Sequence, residues 1–184
     1  MTRSHMPSRP PRLATLPLEA FAPPDAWIID DADMSSADRL QLYVAAEEIG
    51  DAHTDFVRAP ASAIALPFSQ RSDVLFFLMN AVVLAVCTKC GALAGGVSNY
   101  HPIVFPAHRG LGIGRDFHLV ADENGMILFQ PEYFSKAGYA ARLAAHKAAV
   151  VQAIREGRVV HPENRMRYRM PGSGPLPKAL PCSL

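Results

Sequence analysis

The stretch Val104-Phe105-Pro106-Ala107-His108-Arg109-Gly110-Leu111-Gly112-Ile113-Gly114 constrains this chain more than any other. It reads as a strand end, a proline brake and a glycine loop that opens into a helix. Pro106 biases Phe105 toward extended geometry. Glycines at alternate positions allow positive φ and let a ligand approach the backbone closely. Arg115 to Ala121 can continue as a helix. Such a loop at a helix start leaves several N–H groups pointing at one spot, and the macrodipole adds partial positive charge there. That combination holds phosphates.

Two familiar phosphate loops do not fit. A Walker A loop needs Lys and Ser/Thr after its last glycine, but Ile113, Gly114 and Arg115 follow Gly112. A dinucleotide fingerprint needs G-x-G-x-x-G, and Gly110, Gly112 and Gly114 have the wrong spacing. Arg109-Gly110-Leu111-Gly112-Ile113-Gly114, with Val104-Phe105-Pro106 upstream, resembles the loop of the GNAT acetyltransferase superfamily, Arg/Gln-x-x-Gly-x-Gly/Ala after a strand that often ends Val-x-Pro. The resemblance implies an α+β fold with a mixed, mostly antiparallel central sheet flanked by helices. It implies acetyl-CoA as co-substrate. The pyrophosphate would lie on Arg109, Gly110, Leu111, Gly112, Ile113 and Gly114, and the pantetheine arm on the strand edge at Val104 and Phe105. An ordinary glycine-rich turn is the alternative.

The 184 residues, 49% of them hydrophobic, suffice for one domain with a sizeable core. A net charge of +1, from 18 basic and 17 acidic residues, gives no nucleic-acid footprint. Three cysteines are too few for a disulfide framework, and a reducing cytoplasm is the expected compartment. The proline-interrupted N-terminus is not a secretory signal. The longest apolar run, Val74 to Cys87, is too short to span a bilayer.

Along the chain, residues 1–24 suggest a flexible arm, 25–170 a single GNAT-like domain, and 171–184 a loose tail. Trp27-Ile28-Ile29 is a short strand. Ser35-x-x-Asp38 resembles a capping box and opens a helix whose apolar face carries Leu42, Ala45, Ala46 and Ile49, widened by Leu40, Tyr43 and Val44. Gly50 is expected to end it. In Asp51 to Gln70, Pro60 and Pro67 argue against one long helix. His53 and Asp55 either face a substrate or are solvated loop polarity.

Val74 to Gly96 admits two hairpin registers, Val74–Met79 with Val82–Cys87 or Val82–Cys87 with Ala92–Val97. A helix from Asp73 to Val86 also survives, because an all-apolar run does not separate buried strand from buried helix. The second register is preferred, since it puts a glycine-rich strand just before His101. After the glycine loop a short helix ends near Asp122, and Met126 to Phe129 is a strand. Ser135 caps a long helix ending at Gly157. Val159-Val160 and Met166-Arg167-Tyr168 suggest a last hairpin.

Cys87-Thr88-Lys89-Cys90-Gly91 is half of a zinc-knuckle pattern. A structural zinc site needs four ligands, yet Cys182 stands alone and no H-x₃₋₅-H pair exists. A redox pair would precede a helix, and Gly91-Ala92 starts one poorly. A turn with incidental thiols is therefore expected, and no metal is assigned.

Acetyl transfer needs an exposed thioester, a neutral amine and a proton for the leaving thiolate. The GNAT resemblance extends to Tyr133-Phe134-Ser135-Lys136-Ala137-Gly138-Tyr139, similar to the family's Phe-Tyr-x-x-x-Gly-Phe/Tyr. The family's proton-donating Tyr falls on Phe134, which has no proton to give, so Tyr133 and Tyr139 are the candidate acids. His101 is the candidate base, or an ordinary surface histidine. His108 is placed to meet phosphate, and His146 to lie in the core. The expected activity is N-acyl transfer from acyl-CoA to a small-molecule or peptide amine by direct attack. The alternative is a non-catalytic binding or assembly protein of the same fold, and a homodimer is left open.

Overall fold

The computed structural model describes residues 13–30, 32–99, 101–126 and 133–168. In chain order, a tight helical turn at Leu13–Thr15 precedes α1 (Leu18–Phe21), β1 (Trp27–Ile29) and α2 (Ser36–Arg58). Five strands follow: β2 (Ile64–Leu66), β3 (Val74–Met79), β4 (Val82–Cys87), β5 (Leu93–Ser98) and β6 (His101–Val104). Then come α3 (Ile113–Glu123), β7 (Tyr133–Ser135), α4 (Lys136–Arg155) and α5 (Pro162–Arg167). The fold is α+β: β2 to β6 form an antiparallel sheet in sequential order, flanked by helices, while β1 and β7 pair in parallel as a separate ribbon.

Both hairpin registers of the apolar run exist at once. β4 pairs with β3 across Asn80-Ala81 and with β5 across the Cys87–Gly91 turn. Every residue of β4 is buried, because α2 covers one face and α3 the other. Ile49 and Ala52 of α2 pack with Met79, Val82 and Leu84. Ile113, Phe117 and Val120 of α3 pack with Val74, Phe76, Val83, Ala85 and Ala94. A central strand covered on both sides loses the alternation that marks a strand.

Two adjacent glycines of β5 set these distances. A Cβ on Gly96 would lie 2.7 Å from an Ile49 methyl and 2.9 Å from the Val83 carbonyl oxygen, so glycine lets α2 rest directly on the sheet. A Cβ on Gly95 would lie within 2.3 Å of the Ile103 carbonyl oxygen, so glycine lets β6 close on β5.

Several expectations need correction. The helix capped by Ser35, whose Oγ accepts from Asp38 N–H at 3.2 Å, runs through Gly50 to Arg58. Ala45, Ile49 and Ala52 continue its buried stripe past the glycine, and that burial outweighs a propensity cost of about 1 kcal/mol. Leu40, Tyr43 and Val44 are exposed rather than part of its packed face. The expected arm supplies core side chains from Leu13 onward: Leu13 and Phe21 pack on Leu119, Ala145 and Ala149. Pro162 starts a helix where a last hairpin was expected. α4 begins as expected, with Ser135 Oγ accepting from Gly138 N–H at 3.0 Å. The expected strand lies outside the described residues except for Met126, as do residues 1–12 and the tail from 169. Among the described residues no helix is long and apolar enough to cross a membrane.

Candidate functional site

The sheet brings two candidate features to one end. β4 ends at Cys87 opposite Val74, and β6 returns antiparallel to β5 so that Val104 faces Gly95. The turn after β4 and the loop after β6 therefore share an end. His101, paired with Ser98, lies at the other.

The loop after β6 begins with a single tight helical turn, Pro106–His108. Gly110 and Gly112 then take φ of +77° and +81°, values that L side chains rarely adopt. α3 starts at Ile113. Arg109 and Gly110 form a turn closed by the Leu111 N–H, whereas among the described residues the N–H groups of Gly110, Gly112, Ile113 and Gly114 have no hydrogen-bond partner. A Cβ on Gly110 would meet nothing within 4 Å, so that side of the loop is open. Gly114 differs: it belongs to α3, and its Cβ position lies 3.5 Å from Ala141 of α4. Its role is helix–helix packing.

Charge around the loop is mostly committed. Asp116, fully buried in the first turn of α3, accepts from Arg71 and Arg115 at 2.6 Å each. Arg71 also bridges Asp73 at 2.7 Å and donates to the Leu111 carbonyl at 3.1 Å, tying the loop to the start of β3. The carboxylates, Asp73 foremost, hold the Arg71 guanidinium above its ordinary pKa. Arg109 is exposed and donates its Nε–H to the Val104 carbonyl at 3.2 Å, leaving the rest of its guanidinium beside the loop.

β6 is an edge strand. Phe105 N–H is held by the Ala94 carbonyl at 3.0 Å, so by ladder alternation Val104 directs its backbone groups outward. Pro102 carries no N–H, which removes one donor from that edge. The Phe105 ring packs among the residues beneath α2.

The second feature was not legible as a site. Cys87, Cys90 and His108 each place one ligand atom within 4.8 Å of the other two. β5 explains the meeting. The Ala92 carbonyl, just before the strand, accepts from Cys87 N–H at 2.9 Å, and the Ala94 carbonyl within it holds Phe105, three residues before His108. Gly91, at φ +69°, closes the turn through its N–H to the Cys87 carbonyl at 2.9 Å. Cys87 is buried and Cys90 exposed, and both are thiols. His108 is 8% exposed, and its Nδ1 has no hydrogen-bond partner. Sequence placed His108 beside phosphate; the structure sets it against the thiols.

The candidate catalytic residues are dispersed. Tyr139 donates its hydroxyl to the Pro23 carbonyl at 2.9 Å, anchoring α4 to the N-terminal segment. Tyr133 is placed in β7 by its backbone, and its side chain lies outside the described set. His101 has its pKa lowered, mainly by burial and against the pull of Asp38. It sits about 10 Å along β6 from Val104 at strand spacing. Near that end a shallow cavity of about 300 Å³ is lined by Glu48, Asp51, Asp55, Asn80 and Asn99. Glu48 accepts from Ser98 Oγ and Asn99, and Asp55 from Asn80. Asp55 thus lies in a helix and faces the Asn80 turn. His53 stacks on Phe56 at 6.3 Å. His146 is fully buried as expected, between Leu16 O and the Tyr168 hydroxyl.

Comparison of the chain with protein-family models, curated proteins and solved structures gives no match.

Proposed function

We propose that the loop from Arg109 to Gly114 binds the diphosphate of an acyl-CoA, and that the protein transfers the acyl group to an amine by direct attack. One observation carries this: adjacent main-chain N–H groups without protein partners at the start of α3, beside the guanidinium of Arg109. Such donors, backed by the helix macrodipole, match a diphosphate in charge and spacing. The GNAT-like motif in the same residues names acetyl-CoA as the ligand to try first. A GNAT-like topology belongs to this proposal, with β6 as the strand that would lie along the pantetheine arm.

Calorimetric titration of acetyl-CoA tests it. Wild-type protein is expected to bind in the micromolar range. Arg109→Glu, an exposed change that leaves the core intact, is expected to weaken binding about tenfold or more through charge reversal. Gly112→Glu is expected to abolish it, since it adds a carboxylate at a positive-φ position. No binding to wild type at millimolar ligand rejects the proposal.

A second reading has its own support. The Tyr139 hydroxyl is engaged by Pro23 O and Phe134 carries no proton, so a binding or assembly protein that holds the ligand without turning it over fits these residues. Binding without transfer to any member of an amine panel selects it.

A further inference from the structure

We propose that Cys87, Cys90 and His108 bind a zinc ion, with the fourth coordination position left to solvent or to an incoming ligand. The proposal does not depend on the loop binding a diphosphate. The three ligand atoms already lie within 4.8 Å of one another. In a tetrahedral site, bonds of about 2.3 Å to sulfur and about 2.0 Å to nitrogen put such atoms roughly 3.5–3.8 Å apart. Closing that difference needs about an ångström of side-chain movement, which the exposed Cys90 in its turn can supply.

His108 supplies an independent sign. Its ring is more than nine-tenths buried, yet Nδ1 has no hydrogen-bond partner. Buried polar atoms in folded proteins are nearly always satisfied, and a metal bond at Nδ1 satisfies this one. The ligand set selects the ion. Two thiolates and an imidazole suit zinc, whereas calcium and magnesium require oxygen ligands. On binding, each thiol loses its proton to solvent and His108 coordinates as neutral imidazole, so affinity rises with pH. No electron changes hands.

The centre would fasten the β4–β5 turn to the residue preceding Arg109. It would therefore fix where the glycine loop begins. Neither half does this alone: the turn offers two thiols, and only the return of β6 along β5 delivers the imidazole.

The test uses the full chain, reduced and stripped of metal, titrated with Co²⁺ and then Zn²⁺. The expected result is one Co²⁺ per chain, with thiolate-to-cobalt charge-transfer bands and the d–d bands of a tetrahedral ion, all bleached by one equivalent of Zn²⁺. Cys90→Ser is expected to keep the fold, lower affinity roughly a hundredfold or more, and halve the charge-transfer intensity. His108→Gln is expected to lower affinity while keeping the full charge-transfer intensity and shifting the d–d bands. The proposal is overturned if the wild type shows no charge-transfer band, or if either variant binds as the wild type does. Should His108→Gln not fold, X-ray absorption of the wild-type zinc complex decides: two sulfurs with an imidazole support the centre, and any other sulfur count or a missing imidazole overturns it.

Discussion

At the scale of single residues, burial decides more than charge. His118 lies on the inner face of α3, edge-on to Phe21 at 5.7 Å. Burial first, and then the nearby Arg142, push its pKa from 6.5 down to about 3. His146 is shifted the same way, again mainly by burial. A depressed histidine stabilises the fold fully above the unfolded pKa, and that stability drains away as pH falls toward the folded value. Between pH about 6.5 and about 3 the unfolded chain holds a proton that the folded one lacks, so His118 alone contributes a slope of up to about 1.4 kcal/mol per pH unit. Urea unfolding at pH 7, 6 and 5 is expected to show stability falling along this series. His118→Gln is expected to be less stable at pH 7 and markedly flatter with pH. An equal slope in the variant would place the pH dependence elsewhere.

At the scale of elements, local signals were legible where a side chain speaks to its own backbone. The caps at Ser35 and Ser135 are of this kind, and so is the stop at Gly157, which takes φ +67°. Signals that depend on a partner were not. Gly50 reads as a helix stop until Ile49 and Ala52 are seen against the sheet. The apolar run gave no period because β4 has two inner faces. Asn80-Ala81 was legible as a turn, but not its strain: Ala81 has φ +65° in a two-residue hairpin loop. Such loops favour glycine there, and an L residue in the left-handed region costs roughly 1–2 kcal/mol. Ala81→Gly is therefore expected to stabilise the protein by about 1 kcal/mol, read as a higher urea midpoint at unchanged m-value. A lower midpoint would show that the alanine methyl contributes more than its backbone costs.

At the scale of the whole molecule, the meander from β3 to β6 makes the two ends of the sheet different. One end carries Asn80, Asn99 and the acidic residues of α2. The other carries the thiol turn, His108, the Arg71–Asp116 pair and the start of α3. The glycine loop was legible in sequence because all its parts are contiguous. The approach of His108 to Cys87 and Cys90 was not, because it follows from β6 doubling back along β5, and no spacing rule encodes that return. The catalytic candidates were read from a resemblance, and the fold scatters them. The N-terminal segment looked like a proline-rich arm, yet Leu13 and Phe21 lie in the core because α3 and α4 leave an apolar groove that they fill.

In the proposed function, main-chain donors at the start of α3 receive a diphosphate. Amide-resolved NMR during an acetyl-CoA titration tests it most directly. The largest shifts are expected on the N–H signals of Gly110 and of Gly112 to Gly114, saturating together. Shifts confined to the acidic end of the sheet, or silence at those four amides with millimolar ligand present, would contradict it.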